Sequence, residues 1–312
     1  MLVYLFCAAR ALLPLFAFAA ASATCATLDL RPAQPHCGVA TAAASSAPPA
    51  AATRIPDSQA VRGTRNIAWA WLGSPTNRYP HDALGSALHA ANLHVLLVQP
   101  DGSHRPLSLE LPPNRVFEDR LPRLADLDGD GRDEIIVVES DARLGSSLVV
   151  YGLRLGAAAR QPVLAQLARS PFIGTANRWL NPVGVADFDG DGSLDIAAVL
   201  TPHIGGVLTL YRYQPPALEP LAQLPGVSNH RIGMVEQQLA AIVDTPRQRP
   251  AVILPGAGLR TLHVVRLDGA GQWKDLVAPA VLAAPAQRIT ALPGGACVLM
   301  TNGMTVQVNL RD

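Results

Sequence analysis

Arg123-Leu-Ala-Asp-Leu-Asp-Gly-Asp-Gly-Arg-Asp-Glu-Ile-Ile-Val-Val138 recurs 61 residues later as Gly184-Val-Ala-Asp-Phe-Asp-Gly-Asp-Gly-Ser-Leu-Asp-Ile-Ala-Ala-Val199. Self-similarity at such a period marks a repeat architecture, in which each unit buries its apolar face against its neighbours. Each copy reads as a short strand, an acidic Gly-rich turn and a second, apolar strand. Further strands follow at Ser147 to Leu155 and Pro162 to Ala168 in the first copy, and at Val207 to Gln214 and Leu218 to Leu224 in the second. Four short strands per unit predict an all-β β-propeller.

A fainter repeat extends the count. An amide followed by a basic residue precedes each expected innermost strand: Asn77-Arg78, Asn114-Arg115, Asn177-Arg178, Asn229-His230 and Gln287-Arg288. Five such entries predict five blades. Leu239 to Leu254 has the same strand-turn-strand layout without its acidic residues, so that unit is expected to hold no metal. The last unit offers three strands, Arg288 to Leu292, Ala296 to Thr301 and Met304 to Leu310. Its missing fourth is expected from the N-terminal side, at Asn66 to Leu72, closing the ring without a free sheet edge.

In the first acidic turn Asp126, Asp128, Asp130 and Glu134 occupy positions 1, 3, 5 and 9; in the second Asp187, Asp189, Asp191 and Asp195 do. Four carboxylates within nine residues repel one another unless a cation sits among them. Glycines at positions 4 and 6 permit the tight turn, and the position 7 carbonyl of Arg132 or Ser193 can complete an all-oxygen site, which selects calcium. An EF-hand loop needs an acidic residue at position 12, where this chain has Val137 or Ala198. The strand-like flanks place each loop in a hairpin. On these residues the chain resembles the FG-GAP or VCBS-type repeats of calcium-binding β-propellers. The resemblance implies two Ca2+ sites, one in each loop. Two readings of the ions stand: they pin the turns, which repeated identical loops favour, or a partner carboxylate or sugar hydroxyl completes their coordination.

Strand alternation puts the blade entries on the rim opposite the acidic turns. There Arg78, His81, Arg178, Trp179, His203 and His230 are candidate ligand-binding residues for an anionic or glycan ligand. The competing reading makes the recurrent Asn-Arg a packing device that hydrogen-bonds carbonyls of the next blade. No nucleophile elbow, zinc-protease helix or phosphate-cradling loop is found.

The ends and the composition set the context. Ala11 to Ala23 is an apolar run behind Arg10, ending in Ala21-Ser22-Ala23, and reads as an export signal over residues 1–23. Residues 24–64, rich in Ala, Pro and Ser, read as a flexible segment before a propeller spanning 65–312. Export implies a periplasmic or secreted protein with no membrane span after cleavage. Cys25 and Cys37 can close a small loop, which leaves Cys297 as a buried thiol. With 25 basic against 24 acidic residues, no field favours nucleic acid, and 49% hydrophobic content excludes a disordered chain. The function expected is a binding or scaffolding module for a protein, peptide or glycan, possibly an anionic one in view of the rim arginines; the alternative is an enzyme or lectin-like domain using that rim.

Overall fold

The computed structural model describes residues 27–32, 53–156, 161–245 and 247–311. The expected leader and Cys7, Cys25 and Cys37 lie outside the described residues. Those described form strands and turns with no α-helix, and no helix among them is long and apolar enough to cross a membrane.

After β1 (Thr27–Pro32), the chain runs as antiparallel meanders. The first comprises β2 (Val61–Arg62), β3 (Ile67–Thr76), β4 (His89–Val98) and β5 (His104–Glu110). A short β6 (Arg115–Phe117) leads into β7 (Arg123–Ala125), β8 (Glu134–Asp141), β9 (Gly145–Leu155) and β10 (Pro162–Arg169). Next come β11 (Leu180–Ala186), β12 (Asp195–Leu200), β13 (Val207–Gln214) and β14 (Ala217–Pro225). They are followed by β15 (Ala241–Val243), β16 (Ala251–Pro255) and β17 (Thr261–Leu267), the last flanked by β18 (Trp273–Asp275) and β19 (Ala280–Val281). The chain ends in β20 (Ala286–Leu292), β21 (Gly295–Met300) and β22 (Thr305–Arg311).

Hydrogen bonding joins these strands into sheets of 4, 13 and 5 strands. The largest is continuous only because β6 pairs with both β4 and β8, and because Arg169 and Ala217 form one parallel bridge between β10 and β14.

The middle strands explain the apolar runs of the sequence. On β8, Ile135 and Val137 pack toward the β2–β5 meander, whereas Ile136 and Val138 pack toward β11–β14. On β12, Ile196 and Ala198 face one way, and Ala197 and Val199 pack toward β16 and β17. Successive side chains of a strand point to opposite faces, so a strand covered on both sides reads as an unbroken apolar run. The meanders therefore stack face to face, each core shared by two of them.

The sheet at the C-terminus corrects the sequence reading. Its order is β1-β22-β21-β20, with Thr27 opposite Arg311 and Pro32 opposite Val306. The fourth strand of the last unit is thus Thr27–Pro32; Asn66 to Leu72 instead falls in β3 and pairs with β4. The physical reason is burial: this strand's apolar side chains belong to the core shared with β8. The register of β3 shifts between Ile67 and Trp69, so Ile67, Ala70 and Leu72 all serve the core shared with β8, leaving Trp69 and Trp71 on the other face. With β1 and β2, the sheets draw on residues ahead of Arg65. Cys297, 1% exposed in β21, is disulfide-bonded and not a buried free thiol, its partner lying outside the described residues.

Candidate metal centre

The acidic turns join β7 to β8 and β11 to β12, and the two backbones fold alike. In the first, Gly131 N donates to Asp126 Oδ2 at 3.0 Å, Asp130 N to Asp128 Oδ1 at 3.2 Å and Arg132 N to Asp130 Oδ1 at 2.8 Å. In the second, Gly192 N, Asp191 N and Ser193 N donate at the same distances to Asp187 Oδ2, Asp189 Oδ1 and Asp191 Oδ1. The glycines at positions 4 and 6 take positive φ in both loops, 74° and 84° at Gly129 and Gly131, and 74° and 89° at Gly190 and Gly192. The turn therefore curls its own backbone amides around its carboxylates.

Convergence follows. Carboxylate oxygens of Asp126, Asp128 and Asp130 lie within 4.8 Å of one another, as do those of Asp187, Asp189 and Asp191. The position 9 residues start the next strand and are buried, Glu134 at 5% and Asp195 at 1% exposure. Burial, reinforced by the aspartates of its own loop, pushes each of these carboxyls up to about 7. Two oxygens are left buried without a hydrogen-bond partner, Asp126 Oδ1 and Asp195 Oδ2. An orphaned carboxylate oxygen is costly unless something positive meets it. The donor set, all oxygen and mostly anionic, fits a hard divalent cation.

The loops differ at position 9. Glu134, one methylene longer, accepts from Leu127 N at 2.9 Å through Oε2, whereas Asp195 leaves Oδ2 without a partner. They also differ in their arginines. Arg65, from the turn between β2 and β3, donates to Asp133 Oδ1 at 2.7 Å and stands 3.7 Å from Asp126 Oδ2. Arg212 reaches directly onto Asp189 and Asp191 of the second loop. Neither arginine stood out in the sequence, because each lies outside the repeated segments.

Residues 126–198 match the family model described as FG-GAP-like repeat. The two acidic loops belong to an FG-GAP-like repeat segment. It opens on Asp126, position 1 of the first acidic loop, and closes on the strand that leaves the second. No curated protein matches the chain.

At the opposite end of β11 from its acidic loop, Trp179, His203 and His230 come together. Trp179 stacks on His203 with centroids 5.8 Å apart and meets His230 edge-on at 4.9 Å. His230 Nε2 donates to Met234 O at 2.9 Å, so its neutral ring accepts at Nδ1 from His203 Nε2, 2.8 Å away. Burial holds both imidazoles well below their ordinary range, to about 4 for His203 and about 3 for His230. His81 moves the other way, raised by its bond to the fully buried Glu118 carboxylate. Glu118 also accepts from Ser140, and its backbone carbonyl takes Trp179 Nε1–H at 2.9 Å.

The guanidinium groups have internal partners. Arg78 donates to Arg115 O at 2.8 Å and Leu111 O at 3.1 Å, and Arg178 to Asn177 O at 3.3 Å. The Asn-Arg doublets do not share one role: Asn114 binds the Asp141 carboxylate, Asn229 exchanges amide bonds with buried Asn181, and Arg288 pairs with Glu236. Sequence reasoning passed over Glu118-Asp119-Arg120, a charged triplet in an apparent loop. All three side chains are buried, with Arg120 capping the carbonyls of Leu84 and Leu88, and Asp119 accepting from Arg123.

Proposed function

We propose that the protein is an exported, calcium-loaded, five-bladed β-propeller that acts as a binding or scaffolding module. FG-GAP repeats mediate protein or ligand binding in general, and the stacked meanders supply the rigid, loop-rimmed body such a module needs. The observation that carries the calcium reading is the pairing of three converged aspartates with a buried, partnerless carboxylate oxygen in each loop. Asp126, Asp128, Asp130, Glu134 and the Arg132 carbonyl would hold one ion. Asp187, Asp189, Asp191, Asp195 and the Ser193 carbonyl would hold the other. When bound, the ion neutralises the clustered charge and ties the start of each turn to the strand that follows it.

Export rests on the N-terminal leader, and the Cys297 disulfide suits an oxidising compartment. The partner we favour is a protein, peptide or glycan. The enzyme or lectin-like alternative has less support, because the rim arginines and histidines it needs are engaged with neighbouring carbonyls, carboxylates and one another. Melting the purified chain with calcium and with chelator tests the reading. A higher midpoint in calcium is expected; an unchanged midpoint with no bound ion would overturn it.

A further inference from the structure

We infer that Arg212 makes the two acidic loops unequal: the Asp126–Glu134 loop takes a cation freely, whereas the Asp187–Asp195 loop takes one only by displacing the Arg212 guanidinium. This inference rests on the calcium reading above.

Arg212 lies on β13, directly across from Asp195 on β12. From that place its Nη2 contacts Asp189 Oδ2 and stands 3.0 Å from Asp191 Oδ2, so it occupies two of the three converged aspartates. The loop is nevertheless not satisfied by arginine. Asp195 is 1% exposed, and its Oδ2 has no hydrogen-bond partner. A flat guanidinium serves the outer aspartates and leaves the inner carboxylate unmet. Only a compact cation can touch both.

The first loop has no such competitor of its own. Ile135 pairs with Tyr151, so the residue across from Glu134 is Gly152, whose hydrogen lies against Glu134 Cγ. A Cβ there would stand 2.4 Å from Leu167 Cδ1, so even a methyl group at this position would require the Leu167 side chain to move. Arg65 pairs chiefly with Asp133, which is not a candidate ligand, and reaches Asp126 only at 3.7 Å. Arg132 and Arg154 border the cavity beside Asp128 and Asp130, and among the described residues neither forms an ion pair with the loop's carboxylates. Arg212 has somewhere to go when displaced. A groove bounded by Asp126, Asp128, Gly129, Asp191, Gly192 and Tyr213 runs beside it between the two loops.

The test is calorimetric titration of calcium into the full purified chain at low ionic strength. The wild type should show two steps, of which Asp128→Ala abolishes the tighter and Asp189→Ala the weaker. Arg212→Gln should tighten the weaker step by roughly tenfold, the order expected of removing one unit charge at short range from a partly exposed site whose dielectric is close to that of water, and leave the tighter step in place. Arg212→Lys, which keeps the charge, should stay near wild type. Two equal steps in the wild type, or a weaker step that Arg212→Gln leaves unmoved or loosens, would overturn the Arg212 inference while leaving calcium binding intact. No calcium uptake by a correctly folded wild type would overturn both.

Discussion

The two ends of β11 solve opposite problems with the same kind of material. At its C-terminal end, Asp187 to Asp195 gathers carboxylates whose charge exceeds what the protein supplies, leaving a buried oxygen bare. At its N-terminal end, Trp179 packs among His203, His230 and Glu118, and the polar side-chain atoms of Trp179, His230 and Glu118 each have an internal partner, whereas His89 Nδ1, Arg120 Nε and Asn229 Oδ1 nearby are buried without one. The difference teaches which end is built to receive something. Unmet charge calls for a ligand, whereas a closed network of histidine, carboxylate and serine holds the meanders in register. Substitutions at the first end should therefore change ion binding, and those at the second should change stability.

The largest effect expected is that of calcium itself. At a hundredfold excess over the dissociation constant each filled loop adds about 2.7 kcal/mol, so chelation should lower the melting midpoint sharply, and Asp128→Ala or Asp189→Ala should each remove part of the response. At the other end, Glu118→Ala strips the partner from His81 and Ser140 in a fully buried position. Loss of one member of such a network costs about 3–5 kcal/mol, read by urea unfolding, with calcium stoichiometry unchanged. A loss of calcium binding in that variant would break the division between the two ends.

Acid should act on the two ends of β11 in opposite senses. His203 and His230 are held to about 4 and about 3 in the folded chain, below the ordinary histidine value of 6.5. Their contribution is present above pH 6.5 and is lost as pH falls toward 4, because the unfolded chain takes up protons that the folded one refuses. His81 faces the pair and Arg120 adds positive charge near His230, both opposing protonation further. The Glu134 and Asp195 carboxyls, pushed up to about 7, work in the opposite sense over the same range, so the test is a difference: between pH 7 and pH 4 in chelator, His230→Gln should lose less stability than the wild type. The smallest effect is expected at Arg178, whose guanidinium bonds the neighbouring Asn177 carbonyl: Arg178→Ala should stay within about 0.5 kcal/mol.

The repeat was legible because its physics is local. Glycines at fixed offsets and alternating aspartates specify a turn within nine residues, and the strands that follow came out close to their observed bounds, Val207–Gln214 without change. What escaped reading is set by distant pairing. Thr27–Pro32 sits among Ala, Pro and Ser, and six residues carry no periodicity strong enough to announce that they will pair with the C-terminus. The alternating Trp69 and Trp71 imitated the missing strand better than the true one did. Arg212 looks like any strand residue in Leu-Tyr-Arg-Tyr, and only the hairpin register puts it across from Asp195. The recurring Asn-Arg misled in the other direction, since similar letters found different partners at each entry.

Pairing Thr27–Pro32 with Val306–Arg311 has a consequence for how the molecule is made. A chain synthesised from its N-terminus delivers β1 first and β22 last, so the terminal sheet stays one strand short until synthesis is complete. Until then β22's future partner waits as an unpaired edge, exposed to proteases and to other chains. A tag or truncation at either end should thus act on yield and solubility before it acts on anything the finished protein binds.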